Sequence, residues 1–165
     1  AELLATTVTE LRSRDDMSLA VDYVDTFDLR RNSTMLLTFW TAGDTRNRGA
    51  HMVAFTQAYR AAGAEPPKHE APDYLPVVLE FAATVDAQAG RRLLTEHRVA
   101  IDVLRSALAE AGSVYAPAVT AVCTTLPAGS DTAVQRLLDS GPPAESVGLQ
   151  PFQLTVPPRR VQGEV

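Results

Sequence analysis

At 165 residues the chain fits one domain and is long enough to bury a hydrophobic core. Fifteen Lys and Arg stand against 20 Asp and Glu, giving a formal net charge of −5 and a pI near 5.1, which argues against a nucleic-acid surface. The one cysteine, Cys123, excludes an internal disulfide and a cysteine zinc site and agrees with a reducing compartment; no apolar run approaches the ~20 residues of a membrane span.

The first residues lack the pattern of a signal peptide. The chain opens on Ala1 in mid-helix pattern, so a natural start upstream is expected. From Ala1 to Arg14, Leu3, Leu4, Val8 and Leu11 recur at helical spacing, and Asp15, Asp16 and Ser18 make a break and a cap. Leu19, Tyr23 and Phe27 then share one face of a second helix. Asn32 to Thr41 is apolar nearly all round, through Met35, Leu36, Leu37, Phe39 and Trp40, which predicts a central helix. A strand is the alternative for so short a run, but no second strand is visible to pair with it.

Gly43 ends this element and Asp44 caps the next, whose buried stripe is Met52, Phe55 and Tyr59 and whose stop is Gly63. AEPPKHEAPDYLP is the clearest internal loop; Asp73 reads as the N-cap of the following helix and Pro76 falls in its first turn. Leu75, Val78, Leu79 and Ala82 form its stripe. Gly90 separates it from a long helix, Arg91 to Ala111, with Leu94, Ile101, Leu104 and Leu108 inward. Gly112 ends that helix, Ser113 caps another carrying Tyr115, Val119, Val122 and Leu126, and Asp131 to Ser140 is the last. The expectation is an all-α single bundle of about seven helices over residues 1–140. A Pro/Gly-rich tail over 141–165, mostly irregular, lies on the body through Phe152 and Leu154.

The unusual chemistry gathers between Tyr23 and Gly49. Arg46 and Arg48 fall in the first turn of a helix, where positive partial charge disfavours cations. They either pair with Asp25, Asp28 or Asp44 and lock helices together, or hold an anion at the helix start; intramolecular pairing is the cheaper solution. Arg30-Arg31 before MLLTFW is not an export signal, because no basic leader precedes it and no cleavage site follows.

No catalytic constellation is visible. His51, His69 and His97 have no metal-ligand spacing, and His97 between Glu96 and Arg98 reads as a surface residue. There is no phosphate loop or nucleophile elbow, and Cys123 reads as a small core residue. A binding role follows: an apolar groove with a charged rim can take an amphipathic segment. Tyr23, Trp40, Tyr59 and Tyr74 could wall such a groove, although core packing is the plainer role for each alone. A helical small-molecule-binding or regulatory domain is the alternative, and a nucleotide hydrolase using Arg46 and Arg48 is a third.

YVDTFDLRR, an apolar run, GDTRNRG, FTQAYRAAG and PDYLPVVLEF, in that order over Tyr23 to Phe81, resemble the NarJ branch of the NarJ/TorD/DmsD redox-enzyme maturation chaperones. The resemblance implies an all-helical cytoplasmic chaperone without catalytic activity or cofactor of its own. It would bind the N-terminal segment of the apo catalytic α subunit of respiratory nitrate reductase, support molybdenum cofactor insertion and hinder premature membrane attachment. The family's opening helix is expected to be absent or cut short here. The leader site of the family includes the Pro-Asp-His turn, where this chain has Pro72, Asp73 and Tyr74; Ala42 likewise replaces a frequent His before Gly-Asp-Thr. Carried onto this sequence, the peptide-binding residues are Tyr23, Phe27, Asp28, Trp40, Asp44, Tyr59, Asp73 and Tyr74, with Arg31, Arg46 and Arg48 as ion-pair or anion-holding residues. Asp73 would cap its helix and face a basic side chain of the leader.

Overall fold

The helical periodicities become nine α-helices in the computed structural model, which describes residues 1–42 and 45–143, with the side chains of all but 45–47. They are α1 (Glu2–Arg12), α2 (Asp16–Tyr23), α3 (Phe39–Ala42), α4 (Thr45–Ala61), α5 (Leu75–Thr84), α6 (Ala87–Glu96), α7 (Arg98–Glu110), α8 (Ala116–Thr124) and α9 (Asp131–Ser140). A π-helical turn, Val24–Asp28, extends α2, and a 3-10 turn, Arg31–Ser33, follows it. The fold is all-α, as expected, with more and shorter helices than the expected seven. Gly43, Asp44 and the tail from residue 144, including Phe152 and Leu154, lie outside the described residues, as does the side chain of Arg46.

Most helix boundaries follow from local chemistry. Asp15 caps α2 by accepting from the Ser18 N–H at 3.0 Å and from the Ser18 hydroxyl at 2.7 Å. Pro76 sits in the first turn of α5. Ser130 caps α9, whose span matches the expected one. Gly63 and Gly112 follow α4 and α7 at φ +78° and +60°, a left-handed backbone that a side chain would strain.

The core is continuous from α4 to α8. Phe55 and Tyr59 of α4 meet Val78 and Phe81 of α5, Leu93 and Leu94 of α6, Ile101, Leu104 and Leu108 of α7, and Val119 and Cys123 of α8. Each large apolar side chain buried this way contributes about 1.5–3 kcal/mol. Cys123 is a small core residue, as expected. Trp40 anchors a second cluster with Ala100, Val103 and Val134, which fixes α3 and α9 on α7.

Four local expectations fail, each because a tertiary contact wins. The run Asn32–Thr41 is not one helix. Leu36 forms an isolated antiparallel bridge with Tyr74. The Leu37 N–H donates to the Asp73 carbonyl at 3.0 Å and the Leu75 N–H to the Met35 carbonyl at 2.9 Å, so only Phe39–Ala42 is helical. The pairing partner that the sequence hid is the Pro-Asp-Tyr turn itself.

Asp73 does not cap α5; the N-cap is Tyr74, without a side-chain hydrogen bond, because the Asp73 carboxylate is turned into the core. Ser113 lies one turn too early to cap α8. Tyr115 is the N-cap, and the Ser113 hydroxyl accepts from its N–H at 3.3 Å. The expected long helix from Arg91 is broken at His97 (φ −104°, ψ 20°), and Gly90 lies inside α6 instead of ahead of it. Its role is close approach: a Cβ there would fall 2.4 Å from the Ala82 Cβ of α5. His97 is partly buried, contrary to the surface expectation, with its ring 4.9 Å from that of Phe55.

Candidate functional site

One exposed cleft gathers several of the expected residues. The i, i+4 pair Tyr23 and Phe27 straddles the junction of α2 and the π turn, and the two rings lie 4.9 Å apart. The Leu29 N–H reaches back five residues to the Val24 carbonyl at 3.1 Å, the bond that defines this wider turn. Tyr115, at the start of α8, backs both rings, 5.0 Å from Phe27 and 6.2 Å from Tyr23. The opposite wall is Tyr74, whose hydroxyl is 2.8 Å from that of Tyr23.

Between these walls lies a cleft of about 290 Å³ with Met35 and Leu36 lining it and Asp28 and Glu70 at its edge. Neither carboxylate has an ion-pair partner among the described residues. Burial, then the hydrogen bond to Tyr23, raises the pKa of Tyr74, and Glu70 and Asp28 add to the effect. Tyr74 is therefore a neutral hydroxyl at any physiological pH. The cleft offers aromatic faces, a thioether, two phenols and two free carboxylates, a set suited to an apolar side chain beside a cation.

The turn carrying Tyr74 is held from beneath. Asp73 is fully buried; its Oδ2 accepts from the Thr38 N–H at 3.1 Å and from the Thr38 hydroxyl at 2.5 Å. Arg48, in the first turn of α4, places Nη2 3.3 Å from Asp73 Oδ1 and donates through Nε to Thr38 Oγ1 at 3.2 Å. The Tyr59 hydroxyl donates to the Pro72 carbonyl at 2.6 Å. Burial, then the Asp73 charge, pushes the Tyr59 phenol up to about 12.

The expected site residues therefore divide. Tyr23, Phe27, Asp28 and Tyr74 line one cleft. Trp40 and Tyr59 are core residues, 5 % and 2 % exposed, and wall no groove. Asp73 faces inward and cannot meet a partner at the surface; it supports Tyr74 from below. Arg48 pairs with Asp73, not with Asp25, Asp28 or Asp44, so its guanidinium is committed inside the protein. Arg31 lies apart from this cleft, beside Arg30, Asn32 and Ser33 against the end of α7. Sequence reasoning passed over Glu70, Met35 and Thr38. Only the proximity of Glu70 to the Pro-Asp-Tyr turn could have marked it. Thr38 looked like one more member of an apolar run.

A second polar cluster was also missed. Arg98 grips Asp102 through Nε at 2.8 Å and Nη2 at 3.1 Å, and donates through Nη1 to the Cys123 and Pro127 carbonyls at 3.0 and 2.5 Å. The i, i+4 spacing of Arg98 and Asp102 was the available signal. This clamp closes the end of α8 onto α7 and has no open side. Among the described residues no three His, Cys, Asp or Glu side chains could together hold a metal ion, and no helix is long and apolar enough to cross a membrane.

An all-helical bundle whose Pro-Asp-Tyr turn is stapled under an aromatic cleft is of the NarJ/TorD/DmsD-like redox-enzyme-chaperone class. Within it, the chain belongs to the family described as nitrate reductase delta subunit, whose model matches residues 1–121. It is 60% identical over 125 residues, 76% of this chain, to the nitrate reductase-like protein NarX of Mycobacterium tuberculosis strain H37Rv, of which it covers 19%. It is 34% identical over 99 residues, 60% of this chain, to the probable nitrate reductase molybdenum cofactor assembly chaperone NarJ of Bacillus subtilis, covering 54% of that protein. Identity to the NarJ chaperone of Escherichia coli K12 is 28% over 116 residues, 70% of this chain and 49% of that protein. The chain thus spans about a fifth of NarX and about half of each NarJ. Membership in the family covers both names and does not separate the NarJ branch from NarX.

Proposed function

We propose that this chain acts as a NarJ-type assembly chaperone for nitrate reductase, with residues 1–140 as its working body. Its cleft takes the N-terminal segment of the apo catalytic α subunit in the cytoplasm. Holding that segment keeps the subunit competent for molybdenum cofactor insertion and away from the membrane until insertion is complete. The chain carries out no reaction itself. The observation that carries this reading is the cleft between Tyr23, Phe27 and Tyr74, with Asp28 and Glu70 unpaired at its rim. An amphipathic segment could place an apolar side chain on the rings and a Lys or Arg against the carboxylates. The names of the NarJ relatives support the partner.

The test is a calorimetric titration with a synthetic peptide copying the first residues of a nitrate reductase α subunit. Saturable binding, weakened about tenfold or more by Tyr74→Ala, is the expected result. No heat and no shift in melting temperature at high peptide concentration would overturn it.

A further inference from the structure

A second groove adjoins the first, and Glu70 lines both. It has a volume of about 350 Å³ and lies between α5 and the loop that follows α4. Its wall is the i, i+4, i+8 row Val77, Phe81 and Val85, with Phe81 packed on Tyr59 at 4.7 Å and Val85 50 % exposed. Its rim carries Glu65, Glu70 and Glu80, all exposed, and no Lys or Arg lines it. Glu70 and Glu80 have no ion-pair partner among the described residues. Glu65 is 3.5 Å from Lys68, a pair so exposed to solvent that it yields readily to a competing cation. No basic residue anywhere on α5 offsets Glu80.

We propose that the partner's segment does not end in the Tyr23–Tyr74 cleft but crosses Glu70 and continues into this groove. There a second apolar side chain packs on Val77, Phe81 and Val85, and a second cation sits among Glu65, Glu70 and Glu80. The occupant is a basic, amphipathic peptide with two apolar anchors, and the argument for it is charge complementarity. Two adjoining apolar depressions share one unbroken acidic rim, and a cationic chain relieves the mutual repulsion of its carboxylates. This rests on the reading of the first cleft given above. It adds that recognition is bipartite.

The experiment compares two synthetic peptides from the N-terminus of a nitrate reductase α subunit, one of about eight residues and one of about sixteen. Fully extended, these reach at most roughly 28 and 56 Å. Binding to the whole chain is read by fluorescence anisotropy at low salt. The longer peptide is expected to bind about tenfold more tightly than the shorter. Glu80→Lys and Val85→Asp, both at exposed positions, are each expected to abolish that advantage while leaving the short peptide within about twofold. Unchanged short-peptide affinity also certifies that each variant is folded. If both variants bind the longer peptide as the wild type does, the second groove is not used and the first cleft stands alone. If neither peptide binds the wild type, the first reading falls and takes this one with it. If a chain ending at residue 143 binds the longer peptide more tightly and no longer responds to Glu80→Lys, the groove belongs to the chain's own last residues and the proposal is overturned.

Discussion

The carboxylate of Asp73 and the hydroxyl of Thr38, 35 residues apart in the chain, meet at 2.5 Å in the interior. Arg48 completes the contact from the first turn of α4, which brings a negative charge to a helix start that otherwise carries two cationic residues. This triad joins three separate segments beneath Tyr74. It explains how a turn with no regular secondary structure presents an aromatic wall in a fixed position.

Removing one member of that triad leaves the others buried and unpaired. Asp73→Ala is expected to destabilise the fold by about 3–5 kcal/mol, the usual loss when one partner of a buried pair is deleted. Arg48→Met, which keeps part of the stem packing and removes a group still in partial contact with water, should cost less. Urea denaturation of the two variants checks the order. Equal and small losses would show that the triad does not hold the turn.

Gly90 tests packing against propensity. Alanine is favoured over glycine in a helix by about 1 kcal/mol. A Cβ at position 90, however, would lie 2.4 Å from the Ala82 Cβ and 2.5 Å from its Cα, which forces α5 and α6 apart. Overpacking of this kind costs typically 1–3 kcal/mol, so Gly90→Ala is expected to destabilise despite its propensity. Adding Ala82→Gly should recover most of the loss in a thermal melt.

His97 makes stability fall with acid. Burial holds its imidazole below the ordinary value of 6.5; the charges of Glu96 and Asp73 oppose this and His51 reinforces it. The unfolded chain therefore takes up a proton that the folded chain refuses. The contribution is present above pH 6.5 and is lost progressively as pH drops below it, until the folded-state value is passed. His97→Phe, which preserves a ring against Phe55, should flatten the pH dependence of unfolding between neutral pH and mild acid. An unaltered slope would place the effect elsewhere.

Cys123 is expected to be inert while the protein is folded. Burial, then the Asp102 charge, pushes its thiol up to about 11. Too little thiolate exists near neutral pH for fast alkylation, and the side chain is covered. Labelling with a thiol reagent at pH 8 should proceed only at the rate of opening and become immediate in denaturant.

The legible parts of the sequence were those governed by neighbours within a turn or two. Asp15 with Ser18, Pro76 in the first turn of α5, Gly63 and Gly112 after their helices, and the whole of α9 all follow from local rules. Of the site, Tyr23 and Phe27 were legible as one helical face and Tyr74 as an exposed aromatic beside a turn. Long-range polar choices were not legible. A carboxylate before a helix reads as a cap, and only the distant Thr38 and Arg48 turn Asp73 inward. Likewise, the apolar run through Leu36 reads as helix until the pairing with Tyr74 is known. Trp40 and Tyr59 carry polar tips on large rings, and composition alone cannot say which way such rings face.

The π turn at Val24–Asp28 has a consequence for variation in length. Its hydrogen bond spans one residue more than an ordinary helical turn. Deleting a single residue there would let the segment wind as a regular α-helix, and everything after it would swing by about 100° around the axis. Asp28 would then leave the mouth of the cleft although no aromatic residue had been lost. The spacing between Tyr23 and Asp28 is thus a ruler that tolerates substitutions far better than a change of one in length.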